Sequence, residues 1–178
     1  MTNNIEKVKH ISSRMEKFCF VLMLIIPAVL VWSWFNYDAA RGLGLFQRIP
    51  HPLEAPTTMA MILGGILSVG LGAFVIGAVY HLKQFFKFSS DGDLFSSSGA
   101  ESFHKATKYM VFYTVMSIPY ESILGVIMTW SNPAGERELM ITFMPYDLAL
   151  IFTSLVLFAV SRVLKESVRV AEENAQIV

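Results

Sequence analysis

The sequence has one cysteine, no excess of either charge, and two long stretches with no charge at all. Each scarcity excludes something. The lone Cys19 can form no internal disulfide and brings no redox pair. With 14 Lys and Arg against 14 Asp and Glu, the chain lacks the basic excess with which proteins meet nucleic-acid phosphates, so no direct nucleic-acid partner is expected. Catalytic fingerprints are missing as well: the sequence contains no GxSxG, HExxH, CxxC, P-loop or dinucleotide pattern. The four histidines stand apart from one another and from the lone cysteine. His51 has no partner at ligand spacing, and His10, His81 and His104 are expected on solvated or interfacial surfaces. Haem ligation by His81 and His104 would need both inside a span, and neither lies securely in one. No cofactor, metal or enzymatic activity is expected.

What is abundant is apolar sequence, 54% of 178 residues, and its arrangement points to lipid. From Phe18 to Phe35 Ser33 is the lone polar side chain, and from Met59 to Tyr80 it is Ser68. Such uncharged runs have the length needed to cross hydrocarbon. Two further runs carry one acid each, Glu121 within Tyr109–Trp130 and Asp147 near the start of Ile141–Val160. The expected fold is all-α: a polytopic four-transmembrane-helix bundle with spans near 18–37, 58–81, 108–130 and 143–163. It divides into an arm over 1–17, a membrane domain over 18–164 and a helical tail over 165–178. The first span is too long for a signal-peptide core and is followed by bulky Trp32, Trp34 and Tyr37, so it is read as a retained helix.

Eleven of the fourteen cations fall on one side of this scheme, in the arm, the middle loop and the tail; Arg41, Arg48 and Arg137 fall on the other. The positive-inside rule places both termini and the middle loop in the cytoplasm.

Local signals refine the picture. The arm reads as a short surface helix or a frayed segment. Pro27 falls mid-span and bends its helix. Asp38–Pro56 reads as an outer loop stiffened by Pro50 and Pro52. In the second span Ala60/Gly64, Ser68/Gly72 and Ala73/Gly77 are small-xxx-small pairs, which let neighbours approach closely and make this helix central. Ser98, Gly99, Ala100 and Glu101 match a capping box, so a helix should begin near Ser98. Pro145 suits the first position of the last helix, with Asp147 in its first turn against the helix dipole. Third and fourth helices are expected to project into the cytoplasm as a paired ledge. On the tail, Leu164, Val168, Ala171 and Ala175 form an apolar stripe beside Arg169, Glu172 and Glu173. The stripe packs on the base of the third helix or docks another chain, a second copy or a cytoplasmic protein.

One ionisable residue sits at membrane depth. Glu121, Ser68, Thr153 and Ser154 fall at similar distances from the outer ends of their spans and are expected to form a polar layer. No second ionisable residue shares that layer, so Glu121 is expected to be neutral and to donate to a hydroxyl or to a carbonyl freed by Pro27 or Pro119. Three readings stay open: a hydrogen-bonded clamp, a site for a cation, a proton or a small polar ligand, or a lipid-facing side chain.

The tail Val163–Val178, with Leu164, Lys165 and Glu166 followed by Glu172, Glu173, Asn174, Ala175 and Gln176, resembles the closing signature of domain of unknown function 2975, a bacterial family of small four-helix membrane proteins. Gly92, Asp93, Leu94, Phe95 and Ser96 resemble that family's middle-loop pattern. Ser167 stands where the family has glycine, and Ile177 where it has threonine. The resemblance runs from about the second span to the end and implies the same four-span topology and, the family being bacterial, a place in the bacterial inner membrane. It brings no activity, cofactor or catalytic residue. Because members are often encoded beside a small helix-turn-helix regulator, it implies a regulatory role with such a partner. The leading expectation is therefore a non-enzymatic regulatory or partner-binding membrane protein; the alternative is a small transporter or channel organised on Glu121.

Overall fold

A computed structural model describes residues 2–50, 52–53, 55–92, 96–133, 135–137, 139 and 143–176, with the side chains of 2–5 and 175–176 outside that description. His51 and the Asp93–Phe95 part of the middle-loop pattern lie outside the described residues. Five helices follow one another: α1 (Thr2–Phe35), α2 (Tyr37–Gly42), α3 (Thr58–Asp91), α4 (Ser97–Met128) and α5 (Pro145–Gln176). All but α2 are long and apolar enough to cross a membrane. The chain is a multi-pass membrane protein with no strand among the described residues.

The segment expected as an arm is helical, and α1 runs unbroken from Thr2 into the first apolar run. Each of the long helices passes beyond its apolar stretch, so polar turns gather at one end of the bundle. There the Lys9 side chain lies against Gly92, and the Ser97 N–H donates to Glu172 at 3.2 Å. The start of α1, the α3–α4 connection and the end of α5 thus share a base. The opposite end carries α2 and the connections 43–57 and 129–144.

Helix ends follow local chemistry. Thr57 accepts from the Ala60 N–H at 3.2 Å and starts α3, while Gly92, at φ 103°, closes it in the left-handed region that a Cβ disfavours. The expected capping box at Ser98 is not used. Ser96 takes extended backbone and its hydroxyl accepts from the Gly99 N–H at 3.1 Å, so α4 begins two residues earlier than the Ser98 signal implies. Glu101, freed from capping, turns to Lys165.

The helices pack in chain order. α3 lies between α1 and α4, as its small residues imply, and α5 packs on α4 alone among the described elements. The bundle is therefore open between its edge helices α1 and α5. Gly64 and Gly77 of α3 seat side chains rather than bare backbone: the Trp34 ring occupies the space of a Cβ at Gly64, and the Tyr109 ring would lie 2.6 Å from one at Gly77.

The connection between α1 and α3 is not a plain outer loop. Its Tyr37, Ala40, Phe46 and Ile49 are buried with Leu124 and Met128 in one cluster. Phe46 meets Trp34 edge-on at 5.3 Å, and Arg41 donates to the Ile49 carbonyl at 3.2 Å. The Leu53 N–H reaches the Asn132 side chain at 3.1 Å, tying the two end connections together. Burial of Phe46 and Ile49 turns the intervening Arg48 into the bundle.

Candidate functional site

Arg48 enters between the loop ends of α4 and α5. Its Nη1 donates to Glu121 Oε1 at 2.5 Å and to Asp147 Oδ1 at 3.1 Å, while Nη2 donates to Asp147 Oδ2 at 2.7 Å. The fork on Asp147 is the bidentate geometry that a planar guanidinium favours. Above it the Tyr146 ring centre lies 4.6 Å from the guanidinium carbon, a cation–π contact. Asp147 Oδ2 also accepts from the Met144 N–H at 2.7 Å, so this carboxylate caps α5 and holds Arg48 at once. The Arg48, Glu121 and Asp147 side chains are 20%, 18% and 10% exposed, so the cluster is largely shielded. Burial disfavours the charge on Arg48, but the Asp147 hydrogen bonds and the nearby Glu121 outweigh it and hold the Arg48 pKa above its ordinary value.

This geometry overturns two expectations. Glu121 is not without an ionisable neighbour, since Arg48 bonds to it and to Asp147 at once, and it accepts a charged hydrogen bond where it was expected to donate. Nor do the residues of the expected layer gather on Glu121. Ser68 donates to the Gly64 carbonyl and pairs with the Tyr120 hydroxyl, both at 2.8 Å. Ser154 is buried and donates to the Ile151 carbonyl at 2.9 Å, and Thr153 is exposed.

Thr153 and Ser154 instead line a groove of about 520 Å³ bounded by α3, α4 and α5, with Ala78, Tyr113 and Leu150 among its walls. Met110 and Thr114 line it from α4, and Ser117 and Glu121 continue their spacing along the same helix face. On α5 the lining residues Leu157, Ser154 and Leu150 lead at spacings of three and four to Asp147. The groove thus points toward the ion-pair cluster, whose residues lie beyond its lining.

At the base, α5 is fastened to α4 a second time. Lys165 pairs with Glu101 at 2.5 Å, and Val168 is 4% exposed beneath the stripe begun by Leu164. Ala171, Glu172 and Glu173 remain exposed, and Arg169 pairs along its own helix with Glu166 and Glu173. His104 is not the solvated residue expected. Its Nδ1 lies 2.9 Å from the Ser161 hydroxyl, which is fully buried and also 2.9 Å from that of Thr107.

Sequence reasoning missed Arg48, Asp147 and Ser161. A usable signal existed for Arg48: an intramembrane acid calls for a partner, and of the three outer cations Arg48 is bracketed by Phe46 and Ile49. Among the described residues no three His, Cys, Asp or Glu side chains gather as a metal-binding set.

No family model, curated protein or solved structure matches the chain.

Proposed function

We propose that the chain is a non-enzymatic regulatory protein of a bacterial inner membrane, with its base and both termini in the cytoplasm. The Arg48 cluster, on the outer side, sets the position of α5. The base of α5 in turn sets the surface offered to a cytoplasmic protein partner, for which a small helix-turn-helix regulator or a second copy is the candidate. The observation that carries this reading is the bridge from Arg48 to both Glu121 and Asp147. It pins the outer end of α5, a helix that otherwise packs on α4 alone. Sidedness rests on the cations concentrated in the arm, the middle loop and the tail. A change at the bridge can reach the base because α5 is one continuous helix, and rigid elements with two arrangements carry coupling between distant sites.

Spin labels at Lys87 and Val170, with Cys19 replaced by alanine, test the reading. Arg48→Gln in lipid nanodiscs is expected to shift the distance between them by about 2 Å or more. Superimposable distance distributions would reject it.

The transporter reading draws on the same cluster, because two carboxylates of the outer ends of α4 and α5 face one guanidinium. It requires ion or proton flux in proteoliposomes that Glu121→Gln removes, and equal flux in both proteins would exclude it.

A further inference from the structure

We propose that the groove between α3 and α5 binds a lipophilic organic cation of the ammonium, guanidinium or phosphonium class. Its charge would take the place now filled by the Arg48 guanidinium, and its apolar body would lie along α4. The chain's own side chain shows which chemistry fits that place. A delocalised cation sits there between two carboxylates and beneath an aromatic face, Tyr146 at 4.6 Å. Aromatic faces joined to carboxylates are how proteins hold poorly hydrated cations.

Charge and shape agree. In formal charge, two carboxylates against one guanidinium leave one negative charge in excess, about one helical turn beyond Leu150 at the end of the groove. Below it, the walls are almost wholly apolar, and Tyr113 lies in them about two helical turns from Glu121 along α4. A volume of about 520 Å³ falls in the range that holds a drug-sized molecule. Phospholipid acyl chains can fill an apolar groove in a bilayer, but they bring no cation to the carboxylates. An anionic ligand would meet the excess negative charge.

Arg48 is then a tethered competitor. It arrives on the 43–57 connection, outside the long helices, so it can leave without breaking one. The inference rests on the reading of the Arg48 bridge as a switch and names what operates it.

Equilibrium binding of radiolabelled tetraphenylphosphonium to the full chain in phosphatidylcholine nanodiscs, with empty nanodiscs as blank, tests it. Saturable binding to the native chain is expected. Arg48→Ala should tighten it by about tenfold, because a site occupied most of the time by its own side chain loses affinity by that fraction. Ala78→Trp, which fills the groove and leaves the ion pairs in place, should abolish binding. Adding Glu121→Gln to Arg48→Ala should weaken binding by about tenfold or more. If Arg48→Ala does not fold, Arg48→Lys serves in its place, since an ammonium cannot fork onto Asp147. No saturable binding in any variant, as expected if only acyl chains fill the groove, overturns the proposal. So does binding that Ala78→Trp leaves intact. A base distance that still responds to Arg48→Gln while no cation binds would reject the ligand and retain the switch.

Discussion

Arg48 Nη1 lies 2.5 Å from Glu121 Oε1 although 73 residues separate them along the chain. The contact converts an isolated intramembrane acid into one member of a three-residue cluster and joins an end connection to α4. Because the same guanidinium forks onto Asp147, removing different members has different consequences. Arg48→Ala leaves two carboxylates facing each other, and it is expected to cost about 3–5 kcal/mol. Glu121→Gln keeps the Asp147 fork and should cost less, on the order of 1–2 kcal/mol. The double variant Arg48→Ala/Glu121→Gln should be more stable than Arg48→Ala alone, since one of the unpaired charges is gone. Unfolding in a single detergent, followed by circular dichroism, ranks the variants. Equal stability of Arg48→Ala and the native chain would show that the bridge contributes nothing.

The glycines of α3 make a second contrast. A methyl group at Gly64 would meet the Trp34 ring and stand 3.0 Å from Leu124, and one at Gly77 would stand 2.6 Å from Tyr109. A methyl group at Gly70 would meet nothing within 4 Å beyond its own stretch of helix. Gly64→Ala and Gly77→Ala are therefore expected to destabilise by about 1–3 kcal/mol through overpacking. Gly70→Ala should be neutral or stabilise by up to about 1 kcal/mol from helix propensity. The same unfolding measurement decides, and a Gly64→Ala protein as stable as Gly70→Ala would mean that Trp34 moves aside freely.

What could be read from the chain alone follows from how far each signal reaches. Span number was legible because a bilayer imposes one long apolar run per crossing, and the start of α5 was legible because Pro145 acts on its own backbone. The centrality of α3 was legible from its small residues, since close packing requires them whatever the neighbour. Arg48 was legible only in part: its apolar neighbours Phe46 and Ile49 set it apart from the other two outer cations, but nothing local says that they are buried. Its capture depends on Phe46 and Ile49 joining Leu124 and Met128, partners far along the chain. Ser96 displaced Ser98 as the cap because two serines compete at one helix start, and backbone conformation decides between them. Ser161 escaped notice because a serine can satisfy its own helix, and its Thr107 and His104 contacts are tertiary.

At the base, the pairing of Glu101 with Lys165 and the burial of Val168 make separable contributions. The ion pair is partly exposed, at 36% and 50%, so Lys165→Ala should cost no more than about 1 kcal/mol. Val168→Asp places a charge where the side chain is 4% exposed and should detach the end of α5 from α4. Amide exchange read by mass spectrometry is expected to rise over 161–176 in Val168→Asp and to stay near native in Lys165→Ala. Similar protection in both would show that Val168 does not fasten the base.

Ser161 offers the last test, because it separates packing from hydrogen bonding at the second α4–α5 fastening. Its hydroxyl lies within bonding distance of the Phe158 carbonyl, the Thr107 hydroxyl and His104 Nδ1, and its side chain is fully buried. Ser161→Ala preserves the close approach of α5 to α4 but removes the shared partner of Thr107 and His104. A buried group that loses its partner costs about 1–3 kcal/mol. Thr107 retains the His104 carbonyl as acceptor at 2.9 Å, so the loss falls mainly on His104. Ser161→Ala is therefore expected to lie near the lower end of that range, and the pair Ser161→Ala/His104→Phe should be no less stable than Ser161→Ala alone. A double variant destabilised by the sum of both single effects would show that Ser161 and His104 act independently and that the contact does not fasten α5.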